Sequence, residues 1–158
     1  MYGGEILPSF APWVRENIGA DLEHDDHPQD DMEITAPIIN AAFIEELGDK
    51  DCSRRSFLKW ERIMHSHGAT FQEIDILRNS TVVRPIDMIF YPNSTEDCER
   101  LVKLAVEHEV MLVPYGGGTN VTQSLMIYPS EKRMVVSVDM ARMNAIKWVD
   151  KENGLACV

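Results

Sequence analysis

The sequence predicts an α+β fold in which a helical N-terminal region precedes a β-α-β unit with parallel strands. Two observations lead to this prediction. Before Arg84, apolar residues recur at three- and four-residue intervals between polar, proline-containing links, which is the spacing of amphipathic helices. After Pro85, two short apolar runs flank one amphipathic segment, which is the order of a strand, a crossover helix and a second strand. We therefore divide the chain into residues 1–83 and residues 84–158.

The N-terminal region contains three predicted helices and one acidic linker. The segments with helical spacing of apolar residues are 9–18, 38–47 and 53–67. Gly19 and Gly48 directly follow the first two segments, at positions where glycine commonly ends a helix. Acidic side chains are concentrated between Asp21 and Glu33, so we expect a solvated linker over residues 20–36.

The region after Pro85 is predicted as strands joined by one helix. The β-α-β unit consists of a strand over 86–91, a helix over 94–108 and a strand over 110–114. Ser94 is the expected N-cap of the helix, because Asp97 follows it at the capping-box spacing. Further strands are expected over 133–139, 145–150 and 155–158, the last two joined by an Asn-Gly turn. Because the sequence ends within the last strand, we interpret the chain as an N-terminal fragment.

Composition and charge exclude several classes of function. The formal net charge is −11, whereas nucleic acids are bound by basic surfaces, so we predict no nucleic-acid partner. The three cysteines include no C-x-x-C pair, which argues against a zinc knuckle, and we predict no metal site. No apolar stretch approaches the length of a membrane-spanning helix.

The candidate functional segment follows the second strand of the predicted β-α-β unit. Its residues are Pro114, Tyr115, Gly116, Gly117, Gly118, Thr119 and Asn120. Consecutive glycines permit backbone conformations in which several N–H groups converge on an anion, and they place no side chain in the path of a ligand. The carboxyl end of a parallel strand is also where α/β proteins bind ligands. The residues alone leave two interpretations open, a phosphate-binding loop and a glycine-rich turn with a structural role.

Two common phosphate-binding motifs do not fit this segment. A Walker loop requires lysine directly before its serine or threonine, but Gly118 precedes Thr119. The dinucleotide fingerprint G-x-G-x-x-G, started at Gly116, requires glycine where Val121 stands. A phosphate at this segment would therefore be held by a different type of loop.

The pattern Pro-x-Gly-Gly-Gly-Thr after a β-α-β unit resembles the first FAD-binding segment of the vanillyl-alcohol oxidase / p-cresol methylhydroxylase type flavoproteins. More narrowly, the sequence resembles the alkyldihydroxyacetonephosphate synthase (alkylglycerone-phosphate synthase) family. The likeness runs over residues 116–126, 137–144 and 146–150, and more loosely over 7–10, 21–24 and 67–74. It implies a first FAD-binding subdomain of the p-cresol methylhydroxylase type, with FAD as the cofactor and residues 114–120 at its pyrophosphate.

The same resemblance implies an activity and its partners. Members are FAD-dependent transferases of ether-lipid biosynthesis, which exchange the acyl group of acyl-dihydroxyacetone phosphate for a long-chain fatty alcohol to give alkyl-dihydroxyacetone phosphate. A peroxisomal location, a homodimer and peripheral association with the membrane are implied as well. The family's catalytic residues and later flavin segments would lie beyond Val158, so we expect no catalytic residue in this chain. We also expect the 158 residues alone neither to bind FAD tightly nor to turn over substrate.

Two alternatives stay open at this point. An FAD-linked 2-hydroxy-acid dehydrogenase of the same superfamily would share the glycine loop, but it ordinarily lacks a long helical region such as the one before Arg84. A non-catalytic truncated paralogue would keep part of the fold and could bind a full-length subunit.

Overall fold

The computed structural model describes residues 9–19, 32–48, 54–79 and 82–157. The chain divides into two compact units, Met1–Asp30 and Asp31–Val158. The described part of the first unit is helix α1 (Phe10–Ile18), which ends at Gly19 in the left-handed conformation (φ +68°), as the sequence predicts. All the other elements described below belong to the second unit.

The second unit is built on a four-stranded mixed sheet. Its strands are β1 (Arg55–Ser56), β2 (Met88–Phe90), β3 (Met111–Tyr115) and β4 (Val135–Asp139), in the spatial order β1-β2-β4-β3. Strand β4 pairs in parallel with both β2 and β3, whereas β1 pairs antiparallel with β2. The predicted β-α-β unit with parallel strands is therefore confirmed, and β4 lies between its two strands. As a result, the carboxyl ends of β2, β3 and β4 lie at one edge of the sheet.

Both faces of this sheet are buried. Every residue of its central strands, β2 and β4, is buried, and an apolar cluster covers each face. Phe90 and Val136 belong to a cluster formed with helices α2 (Ala41–Leu47) and α5 (Thr95–Glu107). The neighbouring residues in the same strands point to the opposite face, where a second cluster includes Tyr115. A sheet covered on both faces explains the continuous apolar runs in the sequence.

Side-chain caps determine where two of the helices begin. In α5, the Ser94 hydroxyl accepts a hydrogen bond from the Asp97 N–H at 3.2 Å, which confirms the predicted N-cap. In α2, the Asn40 side chain accepts from the Phe43 N–H at 3.1 Å. Helix α2 therefore begins at Ala41, three residues later than the sequence pattern indicates.

The helix predicted over residues 53–67 is wrong in extent. Strand β1 occupies part of this segment, and helix α3 is limited to Lys59–Met64. The side chain of Trp60 is 58% exposed, so the apolar spacing in this segment does not mark a face packed on the core. A further helix, α4 (Phe71–Asn79), is not among the predicted elements.

Hydrogen bonds link the two predicted regions within the second unit. The buried Asp87 carboxylate accepts from the N–H groups of Ile38 and Val135, both at 2.8 Å. It also accepts two hydrogen bonds from the Arg84 guanidinium, at 2.7 and 2.9 Å. One carboxylate thereby holds the segment before α2 against the start of β4.

The rest of the chain departs little from the prediction where the structure describes it. Strands β5 (Trp148–Asp150) and β6 (Leu155–Cys157) form a separate antiparallel hairpin, as the Asn-Gly turn indicates. Most of the predicted acidic linker, residues 20–31, lies outside the described residues, and residues 32–36 form neither helix nor strand. None of the described helices is long and apolar enough to cross a membrane.

Candidate functional site

The glycine-rich segment leaves the carboxyl end of β3, at the edge where the three parallel strands end. Gly116, Gly117 and Thr119 are exposed, whereas Asn120 is buried. Gly118 adopts φ +66° and Asn120 adopts φ +55°, both in the left-handed region. Glycine and asparagine are the residues that occupy this region most readily, so the sequence of the loop matches its backbone.

The backbone of the loop is open toward solvent. Within the described residues, the N–H groups of Gly116, Gly117, Gly118 and Thr119 donate no hydrogen bond to another part of the chain. A Cβ atom added at Gly116 or Gly117 would meet no atom within 4 Å. Packing within the chain therefore does not require glycine at these two positions. A ligand that lies against the backbone would require it, because a Cβ atom would occupy the ligand's space. Four adjacent donors with that access are suited to an anion.

Tyr115 supports the loop from inside the protein. It is the last residue of β3 and is only 6% exposed. Its ring lies against Gly118, where an added Cβ would lie 2.7 Å from the Tyr115 Cζ atom and closer still to the hydroxyl oxygen. Gly118 is therefore required both by its positive φ and by the phenol ring beneath it.

The Tyr115 ring is in turn packed on His65, which follows helix α3. The two ring centroids are 4.2 Å apart with an angle of 41° between the planes. The His65 Nε2 atom lies 2.8 Å from Asp139 Oδ2, and Nδ1 lies 2.8 Å from the Glu61 carbonyl oxygen. Asp139 ends β4 and pairs with Tyr115 in the sheet, while its Oδ1 atom accepts from the Ala141 N–H. The loop therefore rests on side chains from three different elements.

A second set of contacts fixes the far end of the loop. The Ala69 N–H donates to the Thr119 carbonyl at 3.2 Å, and the Asn120 amide donates to the Glu73 carboxylate. The Asn120 side-chain oxygen accepts from the Leu125 N–H at 2.8 Å. A Cβ added at Gly68 would lie 2.8 Å from the Thr119 carbonyl oxygen, so glycine is needed for this close approach.

Glu73 is the central acceptor of this second set. Its carboxylate accepts from the Gly68 N–H at 2.9 Å and from the N–H and hydroxyl of Thr70 at 3.2 and 2.6 Å. Burial of the carboxylate raises its pKa, but the hydrogen bonds from Thr70, Gly68 and Asn120 outweigh burial, so the Glu73 pKa is lower than usual. Glu73 is therefore ionised at neutral pH and holds Asn120 through a charge-assisted hydrogen bond.

Tyr91 completes the group of polar side chains at this edge of the sheet. It follows β2, and the guanidinium carbon of Arg142 lies 5.2 Å from the centroid of its ring. Burial raises the pKa of Tyr91 to about 12, and the nearby carboxylates of Glu61 and Asp139 act in the same direction. The phenol therefore stays protonated and acts as a neutral donor near neutral pH.

Comparison with known proteins places this geometry in a family. A family model described as FAD binding domain matches residues 86–158. The alkyldihydroxyacetonephosphate synthase of Caenorhabditis elegans is 35% identical over 156 residues, covering 98% of this chain and 26% of that protein. The protein of the same name from Trypanosoma brucei brucei is 36% identical over 124 residues, or 76% of this chain and 20% of the relative. A solved structure of alkyldihydroxyacetonephosphate synthase in P1 superposes with a TM-score of 0.78 at 30% identity, covering 94% of this chain and 29% of that one.

The chain belongs to the alkyldihydroxyacetonephosphate synthase family. It spans about a quarter of the length of the C. elegans relative. The α+β fold expected from the sequence is confirmed by the superposition on the solved synthase, and FAD is the cofactor of the family. The superposition supports the fold of this region, and the FAD binding domain model supports its cofactor.

The residues present fit FAD at one part of the cofactor. The loop lies within residues 86–158, which the FAD binding domain model matches. It has donors without acceptors in the described chain, and two of its glycines adjoin open space. These features suit the pyrophosphate, which is anionic and approaches backbone N–H groups closely. No side chain of the loop carries a positive charge, so backbone donors would provide most of the binding.

Sequence reasoning located the loop but missed the side chains that support it. From the sequence, no functional role is assigned to His65, Glu73 or Asp139. For Glu73 a signal exists: Thr70 and Glu73 have capping-box spacing, and the structure shows the reciprocal hydrogen bonds of that motif. For His65 and Asp139 no local signal exists, because they are 74 residues apart.

Proposed function

We propose that this chain supplies a pyrophosphate-binding loop for FAD in a transferase of ether-lipid biosynthesis. The observation that carries the proposal is the loop after β3, where adjacent backbone N–H groups lack acceptors in the described chain and Gly116 and Gly117 adjoin open space. In this proposal the pyrophosphate is bound by residues that lie in one continuous segment. They are Pro114, Tyr115, Gly116, Gly117, Gly118, Thr119 and Asn120.

The loop binds and orients the cofactor. FAD, when bound, supplies the electronic chemistry of the reaction. The backbone N–H groups neutralise part of the pyrophosphate charge, and the exposed Thr119 hydroxyl adds one further donor. Gly118 and Asn120 hold the turn in its left-handed conformation, so the donors are already aligned before the cofactor arrives.

The names of the relatives support the reaction proposed for the whole enzyme. We propose the exchange of the acyl group of acyl-dihydroxyacetone phosphate for a long-chain fatty alcohol, giving alkyl-dihydroxyacetone phosphate. A homodimeric enzyme that is located in peroxisomes and associates peripherally with their membrane is part of the same proposal. No residue of this chain is assigned a catalytic role.

We further propose that the 158-residue chain by itself binds FAD weakly and does not catalyse the reaction. Gly116, Gly117 and Thr119 are exposed, so the loop would contact the pyrophosphate from one side only. Binding from one side leaves most of the cofactor in water, and the hydrophobic contribution of the flavin ring is then small.

Amide NMR on the ¹⁵N-labelled chain tests the binding proposal. Titration with ADP, FAD and inorganic pyrophosphate should shift the amide signals of Gly116–Thr119, because these N–H groups would donate to the diphosphate. The amide of Gly154, in the β5–β6 hairpin, serves as an internal control and should not respond. If loop and hairpin signals respond alike, or neither responds, the loop is not a pyrophosphate site.

A chimaeric enzyme tests the proposed reaction. The matching segment of the C. elegans relative is replaced by this chain, and bound FAD and the transfer of a labelled long-chain alcohol to acyl-dihydroxyacetone phosphate are measured. We expect FAD at about one equivalent and formation of the alkyl product. A chimaera that binds FAD and instead reduces it with a 2-hydroxy acid would support a dehydrogenase and contradict the transferase proposal.

A further inference from the structure

The conformation of the glycine loop depends on where the Tyr115 ring lies. The ring fills the space beneath Gly118, and it would clash with an added Cβ at that residue. A tyrosine side chain can rotate about two bonds, and fixing it requires neighbours on its faces. His65 lies against one face, at 4.2 Å between ring centroids. His65 therefore restricts the ring that supports the loop, together with the buried apolar cluster that contains Tyr115.

Two hydrogen bonds lock the orientation of the His65 ring. Nδ1 faces the Glu61 carbonyl oxygen at 2.8 Å, and a carbonyl oxygen only accepts, so Nδ1 carries a proton. Nε2 faces Asp139 Oδ2 at 2.8 Å, and this contact is favourable only with a further proton between the two atoms. A 180° flip of the ring would place carbon atoms opposite both acceptors. His65 is only 6% exposed, so water would not replace the lost bonds.

The charged groups around His65 complete the arrangement. Asp139 comes from the end of β4 and Glu61 from helix α3, while Arg142 follows β4 and lies over Tyr91. The Tyr91 ring meets the His65 ring edge-on, at 6.3 Å between centroids. Side chains at the carboxyl ends of β2, β3 and β4, namely Tyr91, Tyr115 and Asp139, thus converge on one imidazole.

We propose that His65 is a positioning residue for the FAD-binding loop. Clamped between Asp139 and the Glu61 carbonyl, its ring holds Tyr115 against Gly118 and keeps the loop N–H groups aligned for a diphosphate ligand. The inference rests on the proposed pyrophosphate site and assigns its preorganisation to a histidine that lies 50 residues before Tyr115 in the sequence.

The test compares ADP affinity in three variants of the 158-residue chain, measured from the loop amide shifts. His65→Leu removes the ring and both hydrogen bonds, and we expect about tenfold weaker binding, because the loop must then be ordered when ADP binds. Asp139→Asn keeps a hydrogen bond, since its amide can donate to Nε2 of a neutral imidazole, and affinity should stay within about twofold of the unmodified chain.

His108→Leu is the matched control. His108 also pairs with a carboxylate, at 2.7 Å from Glu46, but it ends helix α5 just before β3, at the opposite end of that strand from the loop. This variant loses a histidine–carboxylate pair without touching Tyr115, so ADP affinity should not change. A general loss of stability would weaken binding in the His108 and His65 variants alike.

A spectroscopic measurement separates positioning from a general structural role. Long-range ¹H–¹⁵N spectra of the imidazole should show a proton on Nδ1 in both the unmodified chain and Asp139→Asn, because the ring keeps its orientation toward the Glu61 carbonyl in both. If His65→Leu fails to fold, Asp139→Ala repeats the affinity test with the imidazole still present but released at Nε2, and about tenfold weaker binding is again expected.

The outcomes distinguish this inference from the function on which it rests. The inference is overturned if the unmodified chain binds ADP at the loop and His65→Leu binds ADP equally well. Asp139→Ala takes the place of His65→Leu if that variant does not fold. In this outcome the proposed pyrophosphate site stands. If the loop amides of the unmodified chain do not respond to ADP, FAD or pyrophosphate, the proposed site fails and the inference fails with it. Weaker binding confined to the variants that release the clamp supports the proposal.

Discussion

Alanine substitutions at Gly118 and Gly117 should separate stability from ligand binding, because the first lowers the stability of the fold and the second weakens the binding of a diphosphate. At Gly118 the backbone has φ +66°, and an alanine in that conformation is destabilised by about 1–2 kcal/mol. The added Cβ would also lie 2.7 Å from Tyr115 Cζ. Because His65 and the buried apolar residues around Tyr115 limit the movement of that ring, the clash adds about 1–3 kcal/mol. We expect Gly118→Ala to lower the free energy of unfolding by about 3 kcal/mol in total.

Gly117→Ala should leave stability unchanged or slightly increased. Its Cβ meets no atom of the chain within 4 Å, and its φ lies outside the left-handed region. Alanine restricts the unfolded chain more than glycine does, which stabilises a compatible site by about 0.4–1 kcal/mol. The same Cβ would occupy the space in which the proposed pyrophosphate lies. We therefore expect affinity for ADP to fall by about tenfold or more, equivalent to at least about 1.4 kcal/mol.

Urea unfolding followed by circular dichroism, together with amide shifts on ADP titration, measures both effects. With a slope of about 2 kcal/mol per molar urea, the Gly118→Ala midpoint should fall by about 1.5 M, while that of Gly117→Ala should not fall. Normal ADP binding by Gly117→Ala would refute close approach of the diphosphate to the backbone. An unchanged midpoint for Gly118→Ala would refute the placement of Tyr115 beneath the loop.

Three further predictions concern the unit that carries the loop. Asp87→Ala should lower the free energy of unfolding by about 3–5 kcal/mol in urea titrations, because it leaves the buried Arg84 guanidinium unpaired, and a loss below about 1 kcal/mol would contradict this. The Glu73 pKa is depressed in the folded state. The ionised carboxylate therefore adds to the free energy of unfolding above the reference pKa of 4.5, and this contribution is lost as pH falls through the folded-state pKa. Glu73→Gln should therefore be less stable than the unmodified chain at pH 7, and the gap should close on acidification below pH 4.5; a constant gap would show that another group is responsible. Residues 32–158 should unfold cooperatively, whereas residues 84–158 alone should show no cooperative transition by circular dichroism, because they lack the antiparallel partner of β2 and the apolar face of α2.

The elements that could be predicted are those whose signals are local. Ser94 and the apolar spacing after it predicted α5, and the Asn153-Gly154 pair predicted the β5–β6 hairpin. The glycine loop was located because three consecutive glycines after a buried strand have a direct consequence for the backbone conformation. In each case the residues that determine the structure lie within a few positions of the structure they determine.

The elements that were missed depend on distant partners. Strand β1 has two residues and exists because it pairs with Ile89 and Phe90, more than thirty positions later. The insertion of β4 between β2 and β3 is a choice among several topologies that have the same strand patterns. At Trp60 a local signal was misleading. The helical spacing of apolar residues over 53–67 suggested a buried face, but the folded chain leaves the Trp60 side chain 58% exposed.

These differences bear on how the loop acquires its binding capacity. The three glycines permit a conformation in which N–H groups point outward, but permissive residues do not select it. Selection comes from His65 through Tyr115 at one end and from Glu73 through Asn120 at the other. Both supporting residues lie in the region predicted as a separate helical part of the chain. A glycine loop transplanted to another strand without His65 and Glu73 should therefore lose more conformational entropy when the ligand binds. Its affinity for a diphosphate should be correspondingly lower.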